Sequence, residues 1–125
     1  VKSNRPINLP LSQVISVNRS PIAIASILHR ISGIVLFLLI PAMLWLLQNS
    51  LASPESFETV FDNVFIRFLA WIFVAAIAYH FVMGVKHLFA DNGQNEELQS
   101  ARMASVVSLV IAAILIVASF VWVMF

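Results

Sequence analysis

Apolar positions along the chain fall into three long runs that are separated by short polar stretches. The runs cover residues 31–47, 64–90 and 103–125. Each is close to or above the roughly 20 residues that an α-helix needs to cross the hydrocarbon core of a bilayer. Residues 22–28 extend the first run toward the N-terminus, so we expect spans over about 21–49, 64–90 and 103–125. The pattern predicts an all-α integral membrane protein with three transmembrane helices in one domain, residues 21–125.

Proline, serine and glycine mark where these helices begin, bend and end. Pro21 suits a first helical turn, where its missing N–H costs nothing, and residues 1–20 before it are expected to form a cytoplasmic segment of the mature protein. Pro41 lies inside the first span and predicts a bend rather than a break. In the first connection, Ser53-Pro54-Glu55-Ser56 is typical of a helix start. Gly93 is the expected turn residue of the second connection.

Composition supports the membrane assignment and removes several classes of function. Of 125 residues, 61% are hydrophobic and 10% are charged, against roughly 45–50% and about 25% in a soluble domain. The chain has no cysteine, which excludes disulfides, thiolate metal sites and iron–sulfur ligation within it. The net charge of +1 and the lack of a basic stripe argue against nucleic acid as a partner. No nucleophile triad, carboxylate pair or phosphate loop is present, so we expect no catalytic residue in this chain alone.

The distribution of lysine and arginine predicts the orientation in the membrane. The first connection, up to residue 63, contains neither residue type. Cations lie instead in the N-terminal segment and beside the second connection: Lys2, Arg5, Arg19, Lys86 and Arg102. By the positive-inside rule, the N-terminus is cytoplasmic and the C-terminus lies on the opposite side. Arg67, near the start of the second span, is the exception.

His80 is an ionisable residue at membrane depth, where an unpaired charge costs several kcal/mol. It lies six residues before Lys86, which corresponds to roughly 9 Å of helix rise. The residues alone leave three roles open for His80: a structural group, a proton relay or an axial ligand of haem iron. Gly84 follows on the same face and offers the gap that a flat macrocycle needs. His87, one turn further, either meets haem propionates or marks the interface.

Ser26 and Arg30 form a polar notch at the cytoplasmic entry of the first span, with Gly33 one turn further on. A hydroxyl and a guanidinium at the edge of the hydrocarbon suit a quinone, whose carbonyl oxygens both groups can hydrogen-bond. The alternative is that Arg30 extends to lipid headgroups while Ser26 bonds a backbone carbonyl. His29 points roughly 100° away from Arg30 and can reach a haem carboxylate.

The tryptophans lie near the ends of their spans that face away from the cytoplasm. Trp45, Trp71 and Trp122 are therefore interpreted as members of an interfacial aromatic belt.

Two motifs resemble the signatures of the cytochrome b anchor subunit of succinate dehydrogenase. The first consists of Arg5-Pro6, Leu9, Pro21 and Ser26-Ile27-Leu28-His29-Arg30-Ile31-Ser32-Gly33. The second consists of His80, three apolar residues, Gly84-Val85-Lys86-His87-Leu88 and then Asp91-Asn92-Gly93. Lys86 stands where that family usually has arginine, and Ala90 stands where it has a larger side chain. The likeness covers nearly the whole chain and is greatest to the proteobacterial form.

This resemblance implies a haem-binding helical bundle built with a second small hydrophobic anchor subunit. One haem b would lie between the two anchors, with His80 as the axial ligand from this chain and a histidine of the partner opposite. His29, Arg30, Gly84 and His87 would surround the haem, while Ser26 and Arg30 would line the ubiquinone pocket.

The resemblance also implies partners and a location. Iron–sulfur and flavoprotein subunits of succinate:quinone oxidoreductase would be anchored at the bacterial inner membrane, with the C-terminus periplasmic, and would link the tricarboxylic acid cycle to electron transport. One alternative is the anchor of a fumarate reductase that works in the opposite direction with menaquinone. Another is a haem-free small transporter or assembly factor in which His80 relays protons.

Overall fold

A computed structural model describes Asn4, Asn8 and residues 10–125, and this part of the chain forms five α-helices. They are α1 Leu11–Val17, α2 Pro21–Ser50, α3 Pro54–Asp62, α4 Val64–Asp91 and α5 Leu98–Met124. The helices α2, α4 and α5, of 30, 28 and 27 residues, are long and apolar enough to cross a membrane. The all-α membrane fold with three long helices is therefore confirmed. Four residues used in the sequence argument lie outside the described residues: Lys2, Arg5, Pro6 and Leu9.

Side-chain caps fix the starts of two helices where the sequence predicts them. The Ser20 hydroxyl accepts the backbone N–H of Ala23 at 3.2 Å, and Pro21 follows as the first residue of α2. Ser53 accepts the N–H of Ser56 at 3.0 Å and so begins α3. Each cap satisfies a backbone donor that has no partner inside the helix. The predicted helix starts at Pro21 and in the first connection are confirmed.

The end of α4 depends on a glycine in the left-handed region of backbone conformation. Gly93 has φ +83°, and its N–H donates to the carbonyl of Ala90 at 3.0 Å. The N–H of Gln94 donates to the carbonyl of Phe89, also at 3.0 Å. These two bonds form a Schellman motif, which satisfies the last carbonyls of a helix. The turn predicted at Gly93 is confirmed, and α2 runs through Pro41 without a break.

Two helical segments extend beyond what the apolar pattern predicts. The short helix α1 lies within residues 1–20, to which the sequence analysis assigns no secondary structure. The helix α5 begins at Leu98, whereas the third apolar run begins at Met103. An apolar run marks only the part of a helix that contacts hydrocarbon. A helix can continue beyond that run through polar residues, which is why the apolar pattern does not give its full length.

The three long helices pack as antiparallel neighbours, and α4 contacts both α2 and α5. Their shared core is small and consists of Ala25, Tyr79, Met83 and Ala112. Most large apolar side chains point outward, as Phe37 does with 74% of its surface exposed. The small side chains of Ala25 and Ala112 allow close approach of helices in a membrane, where the apolar outer faces contact lipid.

Two side chains of α4 bond to the backbone of α5. Arg67 donates from Nη1 to the carbonyl of Met124 at 3.2 Å, at the end of α5, where a cation also complements the helix dipole. This contact gives a structural role to the arginine that is the exception in the predicted charge distribution. Trp71 donates from Nε1 to the carbonyl of Ile116 at 3.2 Å. The Trp71 ring is thus part of the contact between two helices, which the sequence interpretation did not include.

Candidate functional site

The three histidines of the chain meet between α2 and α4 and form what we call the histidine cluster, His29, His80 and His87. The His29 and His80 rings stack with centroids 4.1 Å apart and planes 13° apart. The His87 ring meets His29 edge-on at 5.1 Å. All three side chains are half-buried. Residues that were considered one by one from the sequence therefore belong to one site.

Each of the two stacked histidines faces a glycine of the other helix. His29 precedes Gly33 by four residues in α2, and His80 precedes Gly84 by four residues in α4. A Cβ atom built on Gly33 would lie 3.1 Å from Cε1 of His80. A Cβ atom built on Gly84 would lie 3.7 Å from Nε2 of His29, which is an ordinary van der Waals distance. The sequence pattern singles out Gly84, but the tighter approach is at Gly33.

One nitrogen of His80 is held by oxygen atoms of α2. Nδ1 lies 3.0 Å from the hydroxyl oxygen of Ser32 and 3.2 Å from the carbonyl oxygen of His29. Ser32 is 7% exposed and donates its own proton to the same carbonyl at 2.7 Å. No hydrogen bond reaches Nε2 of His80 within the described part of the chain. Sequence reasoning missed Ser32, although its place three residues after His29 puts both on one side of α2.

These residues fit the contribution that a protein makes to a haem site. A ligating histidine binds iron through one nitrogen and donates a hydrogen bond from the other, often to a backbone carbonyl. His80 has this arrangement, with Nδ1 engaged and Nε2 available. Nε2 of His29 is buried without a hydrogen-bond partner, so it can meet a polar group of a bound ligand. Among the described residues, no group of three or more His, Cys, Asp or Glu side chains could hold a bare metal ion.

Ser26 and Arg30 lie one turn apart near the start of α2. Ser26 is half-buried and Arg30 is exposed. Elsewhere in α2, the hydroxyls of Ser32 and Ser50 bond the backbone carbonyl three residues before them. Within the described residues Ser26 makes no such bond, so its hydroxyl is available to a ligand. The notch that the sequence predicts thus has one free hydroxyl and one accessible guanidinium.

Lys86 and His87 are neighbours in sequence but point in different directions. His87 faces α2 and joins the histidine cluster. Lys86 lines a mostly apolar groove between α4 and α5, together with Val85, Phe89 and Val107. The structure therefore places His87, and not Lys86, beside His29.

Comparison with known proteins identifies the family of the chain. The sequence profile of the family described as "Succinate dehydrogenase/Fumarate reductase transmembrane subunit" matches residues 2–119. The chain belongs to this family. A relative from Coxiella burnetii, named succinate dehydrogenase cytochrome b556 subunit, is 37% identical over 127 residues, which cover 98% of this chain and 99% of the relative. A protein of the same name from Paracoccus denitrificans is 34% identical over 124 residues, covering 92% and 95%.

Family membership confirms the resemblance on which the two motifs were interpreted. It also confirms that the chain is a subunit of succinate dehydrogenase, which is an enzyme complex. Both curated relatives align over almost their full length, so the three long helices of this family member correspond to the body of those proteins.

Proposed function

We propose that this chain is the membrane-anchor cytochrome b subunit of a succinate:quinone oxidoreductase in a bacterial inner membrane. It binds one haem b together with a second small anchor subunit and helps to form the site where ubiquinone is reduced. Iron–sulfur and flavoprotein subunits dock on the cytoplasmic side, where residues 1–20 and the second connection lie. Residues 21–125 form the transmembrane domain, and the C-terminus is periplasmic.

The observation that carries the haem proposal is the hydrogen bonding of the two ring nitrogens of His80. An imidazole in the middle of a long apolar helix is costly unless its polar atoms are used. Nδ1 is used within the chain, and Nε2 is left for a ligand. Haem iron, when bound, would supply one-electron chemistry that the side chains themselves lack. His29, His87, Gly84 and Arg30 would surround that haem, with His29 offering its unpaired Nε2 to a propionate.

Ser26 and Arg30 would hold the quinone at the cytoplasmic end of α2. The hydroxyl of Ser26 would donate a hydrogen bond to one carbonyl oxygen. The guanidinium of Arg30 would favour the negative charge that develops on a quinone oxygen as electrons from succinate arrive through the partner subunits.

The haem proposal is tested by replacing His80 with leucine in the assembled complex. We expect the haem absorption bands to be lost or shifted, whereas Phe81→Leu, at the next residue and 70% exposed, should leave them unchanged. An unchanged spectrum in the His80 variant would show that another residue is the ligand. A wild-type complex without haem bands would instead favour a haem-free transporter or assembly factor.

The quinone proposal is tested by Arg30→Leu. Loss of a charge-assisted hydrogen bond, worth about 1.5–3 kcal/mol, should slow quinone reduction by at least about tenfold. Succinate oxidation with a soluble electron acceptor should continue, which shows that the complex is assembled. Arg102→Leu removes the same charge from the exposed fifth residue of α5 and serves as the matched control. Normal quinone turnover in the Arg30 variant would defeat the assignment.

A fumarate reductase anchor is the second candidate, because the family description covers both enzymes. The names of the two relatives favour succinate dehydrogenase. Extraction of the quinone that co-purifies with the complex separates the two: ubiquinone supports the proposed direction, and menaquinone supports fumarate reduction.

A further inference from the structure

The contacts around Nδ1 of His80 determine which nitrogen of that ring carries the proton. A backbone carbonyl has no proton to donate, so the 3.2 Å contact between Nδ1 and the His29 carbonyl is attractive only if Nδ1 carries a hydrogen. The Ser32 hydroxyl has a single proton, which it donates to that carbonyl at 2.7 Å. Its oxygen can then only accept from Nδ1, 3.0 Å away. Both contacts require the same tautomer.

From this geometry we infer that Ser32 is a positioning residue for the haem ligand. It holds His80 as the Nδ1–H tautomer, so that the lone pair of Nε2 is directed at iron, and it makes that nitrogen a stronger donor. This inference deepens the proposed function and rests on His80 being the haem ligand. Ser32 itself is assigned no contact with the iron or with the quinone.

The electronic consequence follows from the hydrogen bond. An acceptor on Nδ1–H raises the basicity of the ligating nitrogen, and a more basic ligand favours the more highly charged ferric iron. Removing the Ser32 oxygen should therefore raise the midpoint potential of the haem. The His29 carbonyl remains as an acceptor at the longer distance of 3.2 Å, so the ligand keeps its tautomer but loses one of its two hydrogen-bond acceptors. A tenfold change in the relative affinity for the two oxidation states corresponds to about 59 mV in a one-electron couple.

The chain provides a matched control at the other end of the same helix. Ser50 is 7% exposed, as Ser32 is, and its hydroxyl donates to the carbonyl of Leu47, three residues before it, at 2.9 Å. It has the same local bond and the same burial but no histidine beside it. Ser50→Ala therefore reproduces the loss of a buried helix hydroxyl without touching the haem ligand.

The experiment is a redox titration of the haem bands in purified whole complexes that carry Ser32→Ala, Ser32→Thr or Ser50→Ala. We expect Ser32→Ala to raise the midpoint potential by tens of mV, toward about 59 mV, and to bind haem up to about 10–100-fold more weakly. Ser32→Thr, which keeps the hydroxyl, should return the potential to the wild-type value, and Ser50→Ala should not change it. If Ser32→Ala does not accumulate, Ser32→Cys, of similar size and with a weaker acceptor, should show a smaller rise.

The outcomes separate this inference from the proposed function. Wild-type potential and haem content in the Ser32→Ala complex would overturn the inference, as would an equal shift in Ser50→Ala. If either of these results were found while His80→Leu abolished the haem spectrum, the proposed function would stand and only the role of Ser32 would fail. If His80→Leu left the spectrum unchanged, the proposed function would fail first.

Discussion

Gly33 is the position where the packing of the histidine cluster leaves no room for a side chain. In Gly33→Ala, the new Cβ would lie 3.1 Å from Cε1 of His80, whereas ordinary contacts begin at 3.4 Å. The imidazole or the whole of α4 must therefore move by at least the difference, 0.3 Å. Movement of the ring is restricted, because Nδ1 is bonded to Ser32 and to the His29 carbonyl. We expect the variant to strain both the helix contact and the ligand geometry.

Two opposing contributions determine how much Gly33→Ala changes the free energy of unfolding. Overpacking of a well-packed contact typically costs about 1–3 kcal/mol. Replacing glycine by alanine inside a helix returns up to about 1 kcal/mol, because the backbone loses less entropy. The net change in the free energy of unfolding is a loss of about 0–3 kcal/mol, together with a shift of the haem absorption band.

The same substitution at Gly84 provides the comparison for stability. Its Cβ would meet Nε2 of His29 at 3.7 Å, so no overpacking cost arises within this chain. Thermal unfolding of the protein without haem, followed by helix circular dichroism, should rank Gly33→Ala below Gly84→Ala, because contact of Gly84 with haem does not then enter the comparison. Equal stability of the two variants, with a wild-type spectrum in Gly33→Ala, would show that His80 does not lie against Gly33 in the assembled protein.

Two further predictions concern bonds between helices and use the same unfolding assay. Arg67→Gln removes the cation that donates to the Met124 carbonyl, so stability should fall by about 1 kcal/mol, and Arg67→Lys should lose less because the charge stays near the end of α5. A glutamine variant as stable as the wild type would contradict this role. Tyr79→Phe removes the buried bond from the phenol to the Ala25 carbonyl, 3.1 Å long, and should cost about 0.5–1.5 kcal/mol. No measurable loss would mean that the hydroxyl contributes nothing to the contact between α4 and α2.

The sequence was sufficient to predict the features that depend on one helix at a time. The need to cover about 30 Å of hydrocarbon made the three long helices visible as apolar runs. The cost of an ionisable side chain at that depth marks His80 as a functional candidate by its position in an apolar run alone. Pro21 and Ser53 indicate helix starts, because proline suits a first helical turn and a serine hydroxyl satisfies a backbone donor there.

Features that depend on two helices could not be predicted in this way. The role of Ser32 becomes visible only when α2 and α4 are placed side by side, since no spacing in one helix says which residue of another it meets. The same holds for Trp71, whose indole was assigned to the membrane interface but donates to a carbonyl of α5. Arg67 contradicted the charge rule for the same reason, because its partner is a helix end that lies 57 residues away in sequence.

The reciprocal placement of His29 against Gly84 and of His80 against Gly33 has a consequence for how the two helices are aligned. Because they run in opposite directions with the same four-residue spacing, a slide of one along the other would lose both histidine–glycine contacts together. The two histidine–glycine contacts therefore favour a single register of α2 against α4. That register sets the depth of His80 in the bilayer, and with it the distance between any group bound there and the nearer membrane surface.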